Sequence, residues 1–287
     1  MTSPIELVIA PRLRPVGSGE VQRLLPFRSR RMVGPFVFAD LMGPDRLAPG
    51  QRISIDAHPH IGLATVTYLF DGRMIHRDST GAVQSIVPGD VNWMTAGGGV
   101  SHTERSHPDD ERVARVVHGL QTWVALPLDL EDGPASFQHL DRDHVPETVI
   151  GGARVRMAVG SAFGIESPIE VASPLVLAEI DLGNAAEFEL PADHPERAVI
   201  AVDGPVALDD VPLDGQHLAV IVPGATPMLS GSGRVVVLGG DPVGQRHIRW
   251  NFVHSDLAAI DKAAAAWSAQ DFPKVPDDHD PWISMPR

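Results

Sequence analysis

The chain has 287 residues, more than one compact domain usually needs and enough for two, and its 43% hydrophobic and 21% charged residues are typical of a globular protein. It contains no cysteine, which excludes disulfides, thiolate metal sites and cysteine nucleophiles, so any metal ligands must be His, Asp or Glu. The formal net charge of −14 opposes direct binding to the phosphate backbone of nucleic acids.

The N-terminal sequence MTSPIELVIAPRLRPVG lacks a basic segment followed by an apolar core, so we do not expect it to act as a signal peptide. No apolar run reaches the length of about 20 residues that a membrane-spanning helix needs. We therefore expect a cytoplasmic protein that has no membrane contact and does not bind nucleic acid directly.

The first part of the chain contains short segments rich in β-branched and aromatic residues, separated by glycine-containing turns. The segments are PFVFAD (35–40), LATVTYLF (63–70), RMIHRD (73–78), VQSIVP (83–88), VNWM (91–94) and HGLQTWVALP (118–127). Short strands at close spacing are typical of an all-β sandwich or barrel. We assign residues 1–130 to a first β domain.

A polar, proline-interrupted stretch follows, and we expect residues 131–148 to form a linker. The strand pattern then resumes in ARVRMAV, PLVLAEIDL, RAVIAVDG and RVVVLGG. Residues 149–245 are therefore assigned to a second β domain of the same kind.

The C-terminal segment, residues 246–287, contains one helical pattern in SDLAAIDKAAAAW. Leu257, Ile260, Ala264 and Trp267 fall on one face at helical spacing, and Ser255 is the predicted N-cap. We expect this amphipathic helix to pack its apolar face on a β domain.

A pair of histidines, His58 and His60, stands in AHPHIGLAT immediately before an apolar strand pattern. Residues two apart in a strand point to the same face, so the two imidazoles could bind one metal ion. Taken alone, the pair fits a solvated turn equally well, because one such pair is expected by chance among 13 histidines.

A second pair, His102 and Glu104 in GGGVSHTER, has the same spacing. Two such pairs on neighbouring strands would direct four side chains to one interior point. Three imidazoles and one carboxylate suit a divalent first-row metal, and Fe, Mn, Ni, Co, Cu and Zn all accept this set. Such a site leaves positions open for a substrate and dioxygen.

Other residues of the first domain have structural alternatives. His76 is a candidate for the pocket, although a hydrogen-bonded histidine on a barrel strand explains it more simply. The glycines 97–99 lack the Lys-Ser/Thr of a phosphate loop, so we expect them to allow tight backbone beside the metal. Trp93, Met94 and Trp123 are predicted to lie in the core.

The stretch HPHIGLATVTYLFDG, followed by HRDSTGAVQSIVPGDVNWMTAGGGVSHTE, closely resembles the pirins, a bicupin family. The resemblance continues through HGLQTWVALP into RWNFVHSDLAAIDKAAAAWSAQDFPKVPDD and so covers most of the chain. It implies an all-β bicupin fold, with two stacked cupin β-barrels of jelly-roll type and a C-terminal helix packed on the N-terminal barrel.

The resemblance also implies one metal ion, Fe(II) above all, in the N-terminal barrel, while the C-terminal barrel is expected to be metal-free. The implied ligands are His58, His60, His102 and Glu104. In one respect the sequence departs from many pirins, which have Glu four residues after the second histidine, where this chain has Ala64. That Glu is generally not a ligand in pirins, so metal binding should survive, while its absence makes the surroundings of the ligands less polar.

The activity implied by the resemblance is that of a quercetin 2,3-dioxygenase, which opens a flavonol ring with dioxygen and releases carbon monoxide. Glu104 would then be both a metal ligand and the general base for the flavonol 3-hydroxyl proton. The alternative is a metal- and redox-sensing regulatory protein that acts through a protein partner. A third interpretation, an inert scaffold with a vestigial site, is disfavoured by the four intact candidate ligands.

Overall fold

The computed structural model describes residues 3–183 and 186–286. Residues 1, 2 and 287, at the ends of the predicted domains, and residues 184 and 185 in the second domain lie outside the described residues. The described residues form 25 β-strands, one α-helix and two short 3-10 helices. This composition confirms the all-β prediction.

The strands up to the middle of the chain are β1 (Ile5–Ile9), β2 (Arg12–Val16), β3 (Gly19–Leu25), β4 (Phe36–Leu47), β5 (Ser54–His60), β6 (Leu63–Asp71), β7 (Met74–Asp78), β8 (Val83–Ile86), β9 (Val91–Thr95), β10 (Val100–Ser106), β11 (Arg115–Ala125), β12 (Ser136–Leu140) and β13 (Glu147–Ile150). The 3-10 helices are Pro108–Asp110 and Arg142–His144.

The remaining elements are β14 (Ala153–Ala162), β15 (Ile165–Glu166), β16 (Leu175–Asp181), β17 (Ala186–Glu189), β18 (Glu196–Asp203), β19 (Val206–Leu208), β20 (Val211–Leu213), β21 (Leu218–Ile221), β22 (Met228–Gly231), β23 (Arg234–Gly240), β24 (His247–Arg249), β25 (Phe252–His254) and α1 (Leu257–Ser268).

The chain folds into two compact units, each assembled from several stretches of sequence. One unit contains Leu140–Pro242 with Gln22–Ala39 and the N-terminal residues through Arg12, and the other contains Asp40–His139 with Leu13–Val21 and Val243–Arg287. The predicted boundaries at 130, 148 and 245 instead treat each domain as one continuous stretch. The difference has a physical cause, because β1 pairs antiparallel with β21 and thereby joins the later part of the chain.

The stretch predicted to be a linker, residues 131–148, contains regular structure. Strand β12 pairs with β9, a 3-10 helix follows, and β13 begins at Glu147 and pairs with β14. The polar composition that suggested a linker reflects edge strands with exposed side chains, since β12 and β13 each lie at one end of a sheet.

The unit that contains Leu140–Pro242 is a sandwich of two open sheets. The larger sheet has the strand order β1-β21-β18-β23-β16-β14-β13, with β15 paired to β14, and the smaller has the order β17-β22-β19-β20. Its core is an apolar cluster that includes Met157, Phe188, Leu208 and Val237. Alternation of buried and exposed residues along β17 shows why the sequence forms this sandwich.

The unit that contains Asp40–His139 is also a sandwich. Its larger sheet has the order β12-β9-β6-β11-β4-β3-β2, and its smaller sheet has the order β5-β10-β7-β8. The two units confirm the bicupin prediction, with jelly-roll sandwiches of open sheets rather than closed barrels. The strands that carry both predicted ligand pairs, β5 and β10, are neighbours in the smaller sheet.

The helix α1 packs on this second unit, as the resemblance implied. Ile260 and Trp267 belong to one apolar cluster with Ala57 and Ile61, which flank the histidine pair. The N-cap is Asp256, whose carboxylate accepts a hydrogen bond from the Ala258 amide. The prediction of Ser255 as the N-cap was wrong, because its hydroxyl donates to Glu131 instead.

The predicted apolar face of α1 needs one further correction. Leu257 is 52% exposed, so it does not belong to the buried face, whereas Ala263 does. Leu257 is the first residue of the helix, and the contacts that bury the face begin at Ile260, one turn later. Among the described residues, no helix has both the length and the apolar character needed to cross a membrane.

Candidate metal centre

Three histidines converge where β5 and β10 pair. The strands are antiparallel, and His58 lies directly opposite His102. His60 follows two residues after His58 in β5 and therefore points to the same face. The register with β5 shifts between His102 and Glu104, whereas β10 pairs regularly with β7 on its other side.

The three imidazoles form a compact, buried donor set. His58, His60 and His102 each offer one ring nitrogen, and these atoms all lie within 4.8 Å of one another. The Nε2 atoms of His60 and His102 are 3.1 Å apart. The three side chains are at most 7% exposed, so the solvated-turn interpretation of the first pair does not hold. This group could hold a metal ion.

Hydrogen bonds fix which nitrogen of each β5 histidine points inward. The Nδ1 of His58 lies 2.8 Å from the main-chain oxygen of Asp56, and the Nδ1 of His60 lies 3.0 Å from that of Asn251. A carbonyl oxygen only accepts, so each Nδ1 carries the hydrogen and each Nε2 presents a lone pair. Lone pairs directed at one point repel each other unless a cation lies between them, so the residues fit a metal ion.

Burial keeps these imidazoles neutral. It lowers the pKa of His58 to about 4, and it lowers the pKa values of His60 and His102 well below the ordinary value. The positive charge that each ring would acquire also disfavours protonation of its neighbours. A neutral imidazole is the form that binds metals, so the site is ready for an ion at neutral pH.

Glu104, the fourth predicted ligand, lies outside the group of three donor atoms. Its carboxylate is buried and accepts a hydrogen bond of 3.2 Å from the hydroxyl of Thr67. Burial raises the pKa of Glu104, although the charge of His76 and the Thr67 hydrogen bond act in the opposite direction. Its role as a ligand therefore stays a prediction.

Glu104 borders a narrow gap between side chains, which Thr67, His76 and Asn92 also line and which leaves no room for a water molecule. The hydroxyl of Thr67 lies 2.8 Å from Oε1 of Gln121 as well as close to Glu104. The Asn92 side-chain oxygen lies 2.7 Å from Nδ1 of His139, while the buried Nδ2 has no hydrogen-bond partner among the described residues. The gap is thus lined by a carboxylate, Glu104, and by a donor without a partner among the described residues, Asn92 Nδ2.

His76 is buried on β7, and its Nε2 lies 2.9 Å from Oδ2 of Asp78. Burial alone would raise the pKa of Asp78, but hydrogen bonds from His76 and Thr80 lower it. His76 is thus the hydrogen-bonded histidine of the simpler explanation, and it also lies beside Glu104 as the pocket interpretation predicted, whereas Asp78 was not predicted. The signal available was their spacing of two residues in RMIHRD, which resembles that of the ligand pairs.

Three further polar residues beside Glu104 were not predicted: Thr67, Asn92 and Gln121. A polar residue inside an otherwise apolar strand pattern, as in LATVTYLF and VNWM, was the signal that could have identified the first two. Gln121 lies on β11, where it faces Thr67 across the strand pair β6–β11. Ala64, which replaces the Glu of many pirins, is fully buried in β6.

The predicted core aromatics are buried, but one of them contacts the centre. Trp93 is 1% exposed and donates a hydrogen bond to Thr95, and Met94 is buried beside it in β9. The ring of Trp123 packs edge-on against His60, with 5.0 Å between ring centroids. Trp123 therefore restrains a predicted ligand as well as filling the core.

The glycine loop before β10 allows a close backbone approach, though to a different partner than expected. Gly97 has a φ of +50°, and a Cβ placed there would lie 2.0 Å from the main-chain oxygen of Gly133. The main-chain oxygen of Gly97 also accepts a hydrogen bond from the Gly62 amide. Gly97 and Gly98 thus pack the loop against neighbouring backbone, and Gly99 lies against the ring of Phe272.

Comparisons with known proteins agree with this geometry. The family model Pirin matches residues 18–124, and the model Pirin C-terminal cupin domain matches residues 177–273. A "Pirin-like protein" of Caulobacter vibrioides is 44% identical over 99% of this chain and 100% of its own length. The "Putative quercetin 2,3-dioxygenase PA1205" of Pseudomonas aeruginosa is 35% identical over 92% of this chain and 84% of its own length.

Among solved structures, the 1.78 Å crystal structure of quercetin 2,3-dioxygenase from Acinetobacter baumannii has a TM-score of 0.91 to this chain. It is 30% identical, and the match covers 98% of this chain and 95% of that one. The matches to both family models, together with relatives that span nearly the whole sequence, show that the chain belongs to the pirin family.

Proposed function

We propose that this chain is a metal-dependent dioxygenase of the quercetin 2,3-dioxygenase type, with a flavonol or a related small molecule as substrate. In this proposal His58, His60, His102 and Glu104 hold one divalent ion, with Fe(II) as the expected metal. The observation that carries the proposal is the convergence of three buried, neutral imidazoles with donor atoms within 4.8 Å of one another. The similarity to proteins named as quercetin 2,3-dioxygenases supports the choice of reaction.

A divalent iron ion at this position would supply Lewis acidity for a flavonol oxygen and redox chemistry for dioxygen. The contribution of the chain is to fix the donor atoms and to exclude water. The main-chain oxygens of Asp56 and Asn251 accept hydrogen bonds from His58 and His60, respectively. The ring of Trp123 packs edge-on against the ring of His60. These contacts leave the imidazoles little freedom to rotate.

Glu104 is the proposed general base for the 3-hydroxyl of the flavonol. Burial raises its pKa, and a carboxylate with a raised pKa accepts a proton more readily at neutral pH than an ordinary one. The Thr67 hydroxyl can donate either to Glu104 or to Gln121, so it can follow the change in charge on the carboxylate. Asn92 Nδ2, which lacks a hydrogen-bond partner among the described residues, offers a donor for a substrate oxygen.

Quercetin absorbance under air tests the proposal. Protein loaded with Fe(II) should bleach the visible band of quercetin and release carbon monoxide, and the His58→Ala/His102→Ala variant should do neither. A protein that binds a stoichiometric ion and leaves quercetin unchanged would contradict the proposed activity. That result would leave the regulatory alternative, in which the metal state is read by a protein partner, as the hypothesis to test.

A further inference from the structure

We propose that Asp78 and His76 are positioning residues that direct the Nε2 lone pair of His102 toward the metal ion. The inference rests on the proposed metal centre and adds a device that selects the tautomer of one ligand. The three side chains contact one another in sequence: the Asp78 carboxylate contacts the His76 ring, and the His76 ring contacts the His102 ring. We call these three side chains the Asp78–His76–His102 relay.

The contacts of the relay are short and shielded from water. His76 Nε2 lies 2.9 Å from Asp78 Oδ2, and His76 Nδ1 lies 3.4 Å from His102 Nδ1. The three residues are 0–4% exposed. The His76 ring also stacks on Phe137, with 4.7 Å between centroids and 21° between planes, which restrains its rotation.

The carboxylate at the end of the relay is fixed by its own hydrogen bonds. Asp78 Oδ1 accepts from the Thr80 amide at 2.8 Å, from the Thr80 hydroxyl at 2.6 Å and from the Ala82 amide at 3.3 Å. Oδ2 is then the oxygen that faces His76. Because an ionised carboxylate only accepts, His76 must carry its hydrogen on Nε2 to make this bond.

The tautomer of His76 determines that of His102. With the hydrogen on Nε2, His76 Nδ1 has a lone pair and can only accept, so His102 must donate through Nδ1–H. The Nε2 of His102 is then left with a lone pair that points toward His60 Nε2, 3.1 Å away. His58 and His60 reach the same state through main-chain oxygens, whereas His102 relies on two side chains.

Replacement of Asp78 by Asn should reverse donor and acceptor in both hydrogen bonds of the relay. The Asn oxygen must face the two amide N–H groups of Thr80 and Ala82, because these groups cannot accept. Its NH₂ group would then face His76 Nε2, which must become an acceptor. His76 would donate through Nδ1 to His102 Nδ1, and the His102 hydrogen would move to Nε2, where it blocks metal binding.

The test is a Co²⁺ titration of wild-type protein and of Asp78→Asn, combined with ¹⁵N NMR of the imidazole nitrogens. We expect the variant to bind Co²⁺ about 10–100-fold more weakly, the usual range for loss of an outer-shell partner. The NMR spectra of metal-free protein should show His76 as the Nε2–H tautomer in the wild type and as the Nδ1–H tautomer in the variant. Loss of packing alone would not exchange these tautomers.

Two matched variants complete the design. Asp90→Asn changes another buried carboxylate, which accepts a hydrogen bond from the Val87 amide, and should leave Co²⁺ affinity unchanged. His76→Gln keeps one acceptor and one donor and should retain affinity within about threefold of the wild type.

The outcomes separate this inference from the proposed function. Wild-type protein that binds no Co²⁺ would overturn the metal centre and the relay together. Wild-type protein that binds Co²⁺, with Asp78→Asn binding equally well, would overturn the relay alone. A His76 that carries its hydrogen on Nδ1 in the wild type would also overturn the relay, and this measurement needs no variant to fold.

Discussion

The side chains at the candidate centre perform different tasks although they lie on adjacent strands. The three histidines are neutral because burial lowers their pKa values, whereas burial raises the pKa of Glu104 in the same interior. Both effects have one cause, the cost of a charge away from water. Such an interior favours uptake of a divalent cation. The neutral imidazoles can bind the cation, and its positive charge compensates the negative charge of the buried Glu104 carboxylate.

Glu104→Gln tests the role of the carboxylate. We expect turnover of quercetin to fall by about 10²–10⁴-fold, because an amide cannot accept the hydroxyl proton, while the three histidines still hold metal. Metal content by mass spectrometry and quercetin absorbance distinguish the two effects. Thr67→Val, which keeps the carboxylate and removes the hydroxyl that donates to Glu104 and Gln121, is the control and should reduce turnover much less. Unchanged turnover in Glu104→Gln would contradict the assignment of the base.

The sequence predicted the three histidines because their spacing depends only on the alternation of a strand. It did not predict their partners, since Asp56 and Asn251 contribute main-chain oxygens that any residue has. Asp78 was missed for another reason: it lies opposite His102 only because β7 and β10 pair in one particular register. Register depends on contacts distant in sequence, and a single sequence does not display them.

At the scale of elements, the strand β5 is held from two sides. β10 pairs with it along one edge, and the helix α1 covers the apolar residues that flank the histidines, Ala57 and Ile61. The fully buried Trp267 is the largest side chain of that cover, and its Nε1 donates to the main-chain oxygen of Ile283. The amphipathic pattern predicted this helix, but its first turn was misplaced because Ser255 has a competing partner in Glu131.

Trp267→Ala should destabilise the protein by about 3–5 kcal/mol, because it leaves a cavity and an unpaired carbonyl under α1. The matched control is Leu257→Ala on the same helix, which changes a side chain that is 52% exposed and should cost less than about 0.5 kcal/mol. Urea unfolding measures both free energies. Equal effects for the two variants would show that α1 does not pack as described.

At the scale of the whole molecule, the two units use the same strand architecture with different interiors. The unit built around Leu140–Pro242 has an apolar core, whereas the unit built around Asp40–His139 has histidines and carboxylates in its interior. The C-terminal residues serve the latter unit: Asn251 accepts from His60, and Ile283 donates its amide to the main-chain oxygen of Ala57. The sequence predicted this tail as a separate segment, because these partners lie 191 positions before Asn251 and 226 positions before Ile283.

Asp278 ties the tail to β10, since its carboxylate accepts from the Thr103 hydroxyl and the Arg105 guanidinium. Burial alone would raise the pKa of Asp278, but these hydrogen bonds lower it overall. A lowered pKa means that the stabilisation is present above the unfolded-state pKa of about 4 and is lost as the pH falls through the folded-state value.

Asp278→Asn should therefore reduce the free energy of unfolding by about 1–2 kcal/mol at pH 7. The difference from the wild type should shrink as the pH is lowered below about 4, because the wild-type carboxylate is then protonated as well. Urea unfolding at several pH values measures this dependence. A difference that stays constant down to the lowest pH would show that the charged form of Asp278 does not stabilise the fold through Thr103 and Arg105.

The metal content of the protein after anaerobic reconstitution with Fe(II) tests the central claim most directly. Wild-type protein should hold about one equivalent of iron, because His58, His60 and His102 present lone pairs to one point. His58→Ala/His102→Ala should hold none, whereas His144→Ala/His247→Ala, which changes two exposed histidines, should match the wild type. Wild-type protein without bound iron, or a His58→Ala/His102→Ala variant that retains it, would contradict the account.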